Sequence, residues 1–257
     1  MAGNVKAKIS GLEEIPVVIF AGGNEVELQG RTIPKACVLV AGKSMIARTL
    51  HHYQNFGYRK FLVCSGAGHG KISDEIAHIE KEAGKDGFPA IQISIKHTGE
   101  LAGTAKRLRI ALEDLRAYDI VALTYVDIIS DVDLGVIQKT HQEEQSIVTL
   151  TAVHLPTRFK ALGVALFSAR VRGFAAKPIT ENTLVCGGYY FLNPRRLFSD
   201  VPEWAEHESF ENETLPTLAM HQAVAYHKHE GFWQSIDSQR DIKACEEFLL
   251  SRTGQRN

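Results

Sequence analysis

The stretch IPVVIFAGGNEVELQGRTIPK, Ile15 to Lys35, decides the fold. Pro16–Phe20 is an unbroken apolar run of strand length, and a run without polar alternation marks a strand covered on both faces. Ala21-Gly22-Gly23 follows at once. Glycines at a strand's end let backbone N–H groups approach an anion that a Cβ would hold off. The spacing is neither that of a P-loop nor that of a dinucleotide fingerprint. Glu25 and Glu27 then bring two negative charges to the place where a phosphate would lie. The stretch is a phosphate loop by position and acidic by composition.

Beyond it, strand and helix periods alternate. Ser44–Phe56 reads as a helix with Ser44 as N-cap and Gly57 as its C-terminal stop. KFLVCSG is a strand, KISDEIAHIEKEAG a helix ending on Gly84, AIQISI a strand and GTAKRLRIALEDLRA a helix. DIVALTYVD is a strand ending on Asp127, DLGVIQKTHQEEQ a helix that Asp133 caps, and SIVTLTAVH a strand. Such alternation implies an α/β fold with a mostly parallel sheet and helices on both faces. After His154 the segments LGVALFSA, RVRGFAAK and GGYYFLN are short and β-rich, and imply an antiparallel extension. FENETLPTLAMHQ reads as a helix with Pro216 in its first turn, VAYHKHE as a strand, and the segment from Asp237 or Ser238 onward as a closing helix. The expected organisation is a flexible segment over 1–14 and one domain over 15–257. Ligands of open α/β sheets bind beyond the carboxyl ends of the strands, so Gly22-Gly23 and Asp127 are expected on one edge.

Composition excludes several classes. The chain has 257 residues, 44% hydrophobic and 23% charged, with 29 basic and 30 acidic residues and a net charge of -1. No basic excess points to nucleic acid or an anionic membrane. Cys37, Cys64, Cys186 and Cys245 are too scattered for a zinc module or a disulfide framework. No apolar run reaches the roughly 20 residues of a membrane helix, and the opening residues lack a signal peptide's apolar core. A cytoplasmic location is expected. His227 and His229 share one face of a strand, but no third metal ligand accompanies them. Asp127 is different: a carboxylate at the ligand edge suits a hard cation such as Mg2+.

The segments VVIFAGG, PKACVLVAGKSMI, TGELAGTAKRL, LTYVDIISDVDL, KP, CGGYYFLNP and GFWQSIDSQRD stand in an order and spacing that resemble the sugar-1-phosphate nucleotidylyltransferases. The likeness is nearest to the glucose-1-phosphate cytidylyltransferases and runs from Pro16 to Arg240. It implies a Rossmann-like, GT-A-like fold. It also implies an Mg2+-dependent transfer from a nucleoside triphosphate, CTP first, to a sugar 1-phosphate or similar small phosphate, with release of pyrophosphate. By the resemblance, Ala21, Gly22 and Gly23 approach the nucleotide, and Gly103 and Thr104 lie around the base. Lys35 runs along the phosphates, Asp127 and Asp237 hold the metal, Lys177 meets the sugar phosphate, and Gly187 and Gly188 sit beside the sugar. Lys35, Asp127 and Lys177 are the expected catalytic set, and a homo-oligomer is compatible with the pattern.

Three departures mark this chain. The family's Gly-x-Arg-Leu is Glu25-Val26-Glu27-Leu28, its Glu-Lys-Pro is Ala176-Lys177-Pro178, and its Gly-Asp-Gly is Val126-Asp127-Ile128. A glutamate for an arginine turns attraction for a triphosphate into repulsion. The alternative expectation is therefore a non-catalytic homologue that binds a nucleotide or nucleotide sugar and has a regulatory or partner role.

Overall fold

The computed structural model describes residues 11–23, 25–28, 30–82, 90–156, 161–164, 171–175 and 179–253. Seven strands build the central sheet: β1 (Pro16–Phe20), β2 (Lys60–Ser65), β3 (Gln92–His97), β4 (Val121–Tyr125), β5 (Val148–Pro156), β6 (Ile179–Leu192) and β7 (Val224–His229). Their order is β7-β5-β6-β4-β1-β2-β3. Every neighbouring pair is parallel except those of β6, which runs antiparallel to both β4 and β5. GGYYFLN therefore joins the main sheet as part of β6. Ala161–Val164 pairs with Val171–Ala175 in a separate antiparallel ladder.

The pleat of β1 shows why its run is unbroken. Val17 and Ile19 point into one apolar cluster, Val18 and Phe20 into another on the opposite face, and all are at most 5% exposed. Helices α1 (Met45–Phe56), α2 (His69–Glu82), α4 (Leu134–Glu144) and α7 (Gln239–Thr253) supply the first cluster with Leu50, Ile72, Ile137 and Cys245. Helices α3 (Thr104–Leu112), α5 (Pro194–Asp200) and α6 (Leu215–Met220) supply the second with Leu108, Leu197 and Leu218.

Local chemistry fixes the helix ends. Ser44 Oγ accepts from Ala47 N at 3.3 Å, and Gly57 closes α1 at φ 108°. Asp133 accepts from Gly135 N at 2.9 Å and caps α4. Ser238 precedes α7 and shares Asp241 with the Asp237 backbone N–H. Pro216 does stand in the first turn of α6, behind a wider π-type turn at Phe210–Thr214. Leu12 packs into the first cluster from a 3-10 turn, Leu12–Glu14. Residues 1–10 and Gly84 lie outside the described residues. No described helix is long and apolar enough to cross a membrane.

Candidate active site

The chain runs from β1 outward to β2 and β3, then returns to β4 on the other side of β1. Reversal of direction opens a crevice at the carboxyl ends of β1 and β4. Gly22-Gly23 leaves β1 there, and Val126-Asp127 leaves β4, with Val126 N donating to Phe20 O at 3.1 Å. Asp127 stands two residues past the strand that was expected to end on it, in the turn before Ile128–Ser130.

A second carboxylate arrives from far along the chain. Ile128–Ser130 pairs antiparallel with Trp233–Ser235, and Ile236 N donates to Asp127 O at 2.8 Å. This ladder sets Asp237 beside Asp127. Lys35 opens a 3-10 turn, Lys35–Cys37, and its ammonium donates to Asp127 Oδ2 at 2.9 Å and Asp237 Oδ1 at 2.7 Å. Burial disfavours the Lys35 charge, but the two carboxylates outweigh it and raise its pKa above the ordinary lysine value. Three residues named from the sequence thus meet at one point.

The glycines divide by role. A Cβ on Gly22 would collide with Gly66 N and come within 2.5 Å of Ser65 C and Arg107 Nη1. Gly22 is needed for the chain's own packing, and it also lines the cleft. A Cβ on Gly23 would meet nothing within 4 Å, and Gly23 faces the cleft with Ala21, Lys35 and Asp127. Gly103 must be glycine because Glu208 O occupies its Cβ position. Beside it Thr104 Oγ1 donates to Glu211 Oε2 at 2.6 Å and accepts from Phe210 N at 2.8 Å. Tyr125 donates its hydroxyl to Glu211 Oε1, so one carboxylate ties two cleft-lining side chains to the Phe210–Thr214 turn. Gly188 adopts φ 74°, and Ile128 Cδ1 fills the space where its side chain would go. Gly187 O accepts from Trp233 Nε1 at 2.8 Å.

The acidic residues leave the cleft. Glu25–Leu28 pairs with Arg31–Pro34 in a hairpin whose turn holds Gly30 at φ 71°. Alternation buries Val26 at 8% exposure and turns Glu25 and Glu27 to solvent. Glu25 Oε1 lies toward Gly68, at the start of α2, where the helix dipole favours a negative charge. Neither glutamate is among the residues that line the cleft. Arg107, which the motif reading passed over, lines it instead. Arg107 is 3% exposed and donates to Ser65 O at 2.9 Å, Ala102 O at 3.2 Å, Gly99 O at 3.4 Å and the Thr98 hydroxyl. Among the described residues no ion pair to Arg107 is seen, and its Nη1 lies within 2.5 Å of where a Cβ on Gly22 would stand.

Asp127 and Asp237 offer hard oxygen donors converging on one cationic atom, with the Lys35 ammonium standing in for a cation. That donor set fits Mg2+, which takes one or two protein carboxylates and completes its shell with water and phosphate oxygens. Among the described residues no group of three or more His, Cys, Asp or Glu could hold a metal. His229 is committed elsewhere: its Nε2 faces Asp131 Oδ1 and Phe232 O, each at 3.2 Å. Lys177, with Ala176 and Pro178, lies outside the described residues.

The doubly covered α/β sheet thus carries a lysine, two aspartates and a buried arginine at its switch point. The nucleotidyl transferase model matches residues 17–251, and the chain belongs to that family. The glucose-1-phosphate cytidylyltransferase of Salmonella typhimurium is 28% identical over 243 residues, covering 87% of this chain and 91% of that protein. The mannose-1-phosphate guanyltransferase of Neurospora crassa is 26% identical over 88% of this chain and 61% of its own length. Among solved structures, Yersinia pseudotuberculosis HddC complexed with GMP-PN superposes with a TM-score of 0.66 at 20% identity, over 91% of this chain and 99% of that one. The mostly parallel sheet and these likenesses agree with the Rossmann-like fold read from the sequence.

Proposed function

We propose that the protein joins a nucleoside triphosphate to a sugar 1-phosphate and releases pyrophosphate, with CTP as the first-choice nucleotide. The observation that carries this reading is the Lys35–Asp127–Asp237 cluster at the mouth of the Gly22-Gly23 crevice. CTP is favoured by the cytidylyltransferase likeness, while the guanyltransferase relative keeps GTP as the competitor to test.

In the reaction a phosphate oxygen of the sugar phosphate attacks the α-phosphorus. The bond from α-phosphorus to the bridging oxygen breaks, and pyrophosphate leaves with that electron pair. Such transfer depends on positioning and charge neutralisation more than on covalent help from the protein. Lys35 is placed to neutralise the triphosphate, and Asp127 with Asp237 to hold Mg2+. When bound, the metal supplies Lewis-acid stabilisation of the phosphate oxygens. Lys177 is assigned to the acceptor phosphate by the family likeness.

The test is a screen of CTP, GTP, UTP, dTTP and ATP against sugar 1-phosphates with Mg2+, read as pyrophosphate release. Turnover with CTP and one sugar 1-phosphate at least tenfold above the other bases is expected. Ile128, which fills the space beside Gly188, favours a second reading as a non-catalytic nucleotide binder. Nucleotide binding without pyrophosphate release from any pair would establish that reading in place of the first.

Arg107 takes the place of the missing signature arginine as the source of positive charge behind the phosphates. Arg107→Gln is expected to weaken triphosphate binding about tenfold, the scale of one charge-assisted contact, with nucleoside binding changed less than twofold. Titration calorimetry with CTP and cytidine checks this. Equal loss of both ligands would reduce Arg107 to a strut for the 98–102 loop.

A further inference from the structure

The Lys35 ammonium sits at one point between two carboxylates brought from distant parts of the chain, 2.9 Å from Asp127 Oδ2 and 2.7 Å from Asp237 Oδ1. A divalent cation held by these two carboxylates would lie close to the ammonium. So placed, the cation and the ammonium would repel one another. The ammonium offsets one carboxylate charge, whereas a divalent cation would offset two.

From this we infer that Lys35 is a displaceable counter-ion at the metal position. It holds the carboxylate pair together in the substrate-free protein and gives way to a divalent cation when a triphosphate is present to receive the ammonium. The inference rests on the reading that Asp127 and Asp237 bind Mg2+. Reach permits the exchange. Lys35 lines the same cleft as Gly23, and a lysine's flexible stem can carry its point charge from the carboxylates to a phosphate beside that glycine. Both carboxylates are partly open, at 25% and 47% side-chain exposure, so a hydrated cation can enter without unfolding the site. Triphosphate and metal therefore bind with positive coupling, and Lys35 is the element that couples them. A permanent salt bridge with the metal bound elsewhere would show no such exchange.

Mn2+ binding, followed by electron paramagnetic resonance with and without a non-hydrolysable CTP analogue, tests this on the full chain. In Lys35→Met the affinity for free Mn2+ should rise tenfold or more, equivalent to about 1.4 kcal/mol. Metal-free binding of the analogue should fall tenfold or more in the same variant. The melting temperature of the variant should rise more on adding Mn2+ than that of the parent does. Opposite signs for two ligands in one variant are not produced by general damage to the fold. Lys35→Arg keeps a cation between the carboxylates, and its free Mn2+ affinity should stay at or below the parent's; a rise there overturns the inference even if Lys35→Met fails to fold. A parent that binds Mn2+ with the analogue, beside a Lys35→Met variant with unmoved free-metal affinity, overturns this inference alone. If Mn2+ binds to neither parent nor variant, with or without analogue, the metal assignment falls and takes this inference with it.

Discussion

Asp127→Asn should lower Mg2+-dependent pyrophosphate release by about 10³-fold, the upper range for removing one preorganised electrostatic group. The amide keeps the shape of the carboxylate and can still accept from Lys35, so geometry survives while the charge is lost. Asp127 is one quarter exposed, and its pairing with Lys35 is worth no more than about 1 kcal/mol of stability after solvent screening. The melting temperature should therefore move by only a few degrees. A steady-state assay beside a thermal melt separates the two effects. A variant that retains a tenth of parental turnover would remove Asp127 from the metal position.

Gly22→Ala should have the largest effect on the fold itself. The added methyl meets Gly66 N and Ser65 C, both backbone, as well as Arg107 Nη1, and none of the three can rotate away cheaply. Overpacking against immovable atoms costs about 3 kcal/mol, which lowers the melting temperature by roughly 6–12 °C in a domain of this size. Gly23→Ala, whose methyl would enter open space, should leave the melting temperature within about 2 °C. Equal melting temperatures for the two variants would contradict the assignment of Gly22 to internal packing.

Much of this was legible. The apolar run of β1 announced a strand with two covered faces, and Ser44 and Asp133 cap the helices they were expected to cap. Motif order brought Lys35, Asp127 and Asp237 together, although no local pattern links residues so far apart. The acidic stretch was misleading because its position in the motif outweighed its period. Glu-Val-Glu-Leu alternates as a half-buried strand does, and Gly30 offers the turn that folds it back. Arg107 was overlooked for a related reason. It stands one turn before Ala111, on the buried side of α3, where a cation is out of place unless carbonyl oxygens await it. The packing role of Gly22 could not be read from sequence, since the atoms that forbid a side chain there come from the end of β2, from Gly66 just beyond it and from α3.

The ladder between Ile128–Ser130 and Trp233–Ser235 bears on how the protein acquires its activity as it is made. Lys35 and Asp127 leave the ribosome early, with most of the sheet that supports them. Asp237 follows only after β7, and until then Lys35 has one carboxylate to hold rather than two. Chains are synthesised from the N-terminus and their earlier parts can collapse first, so the crevice can take shape before its chemistry is complete. The second carboxylate thus reaches Lys35 in a single late event, when the last short ladder zips closed.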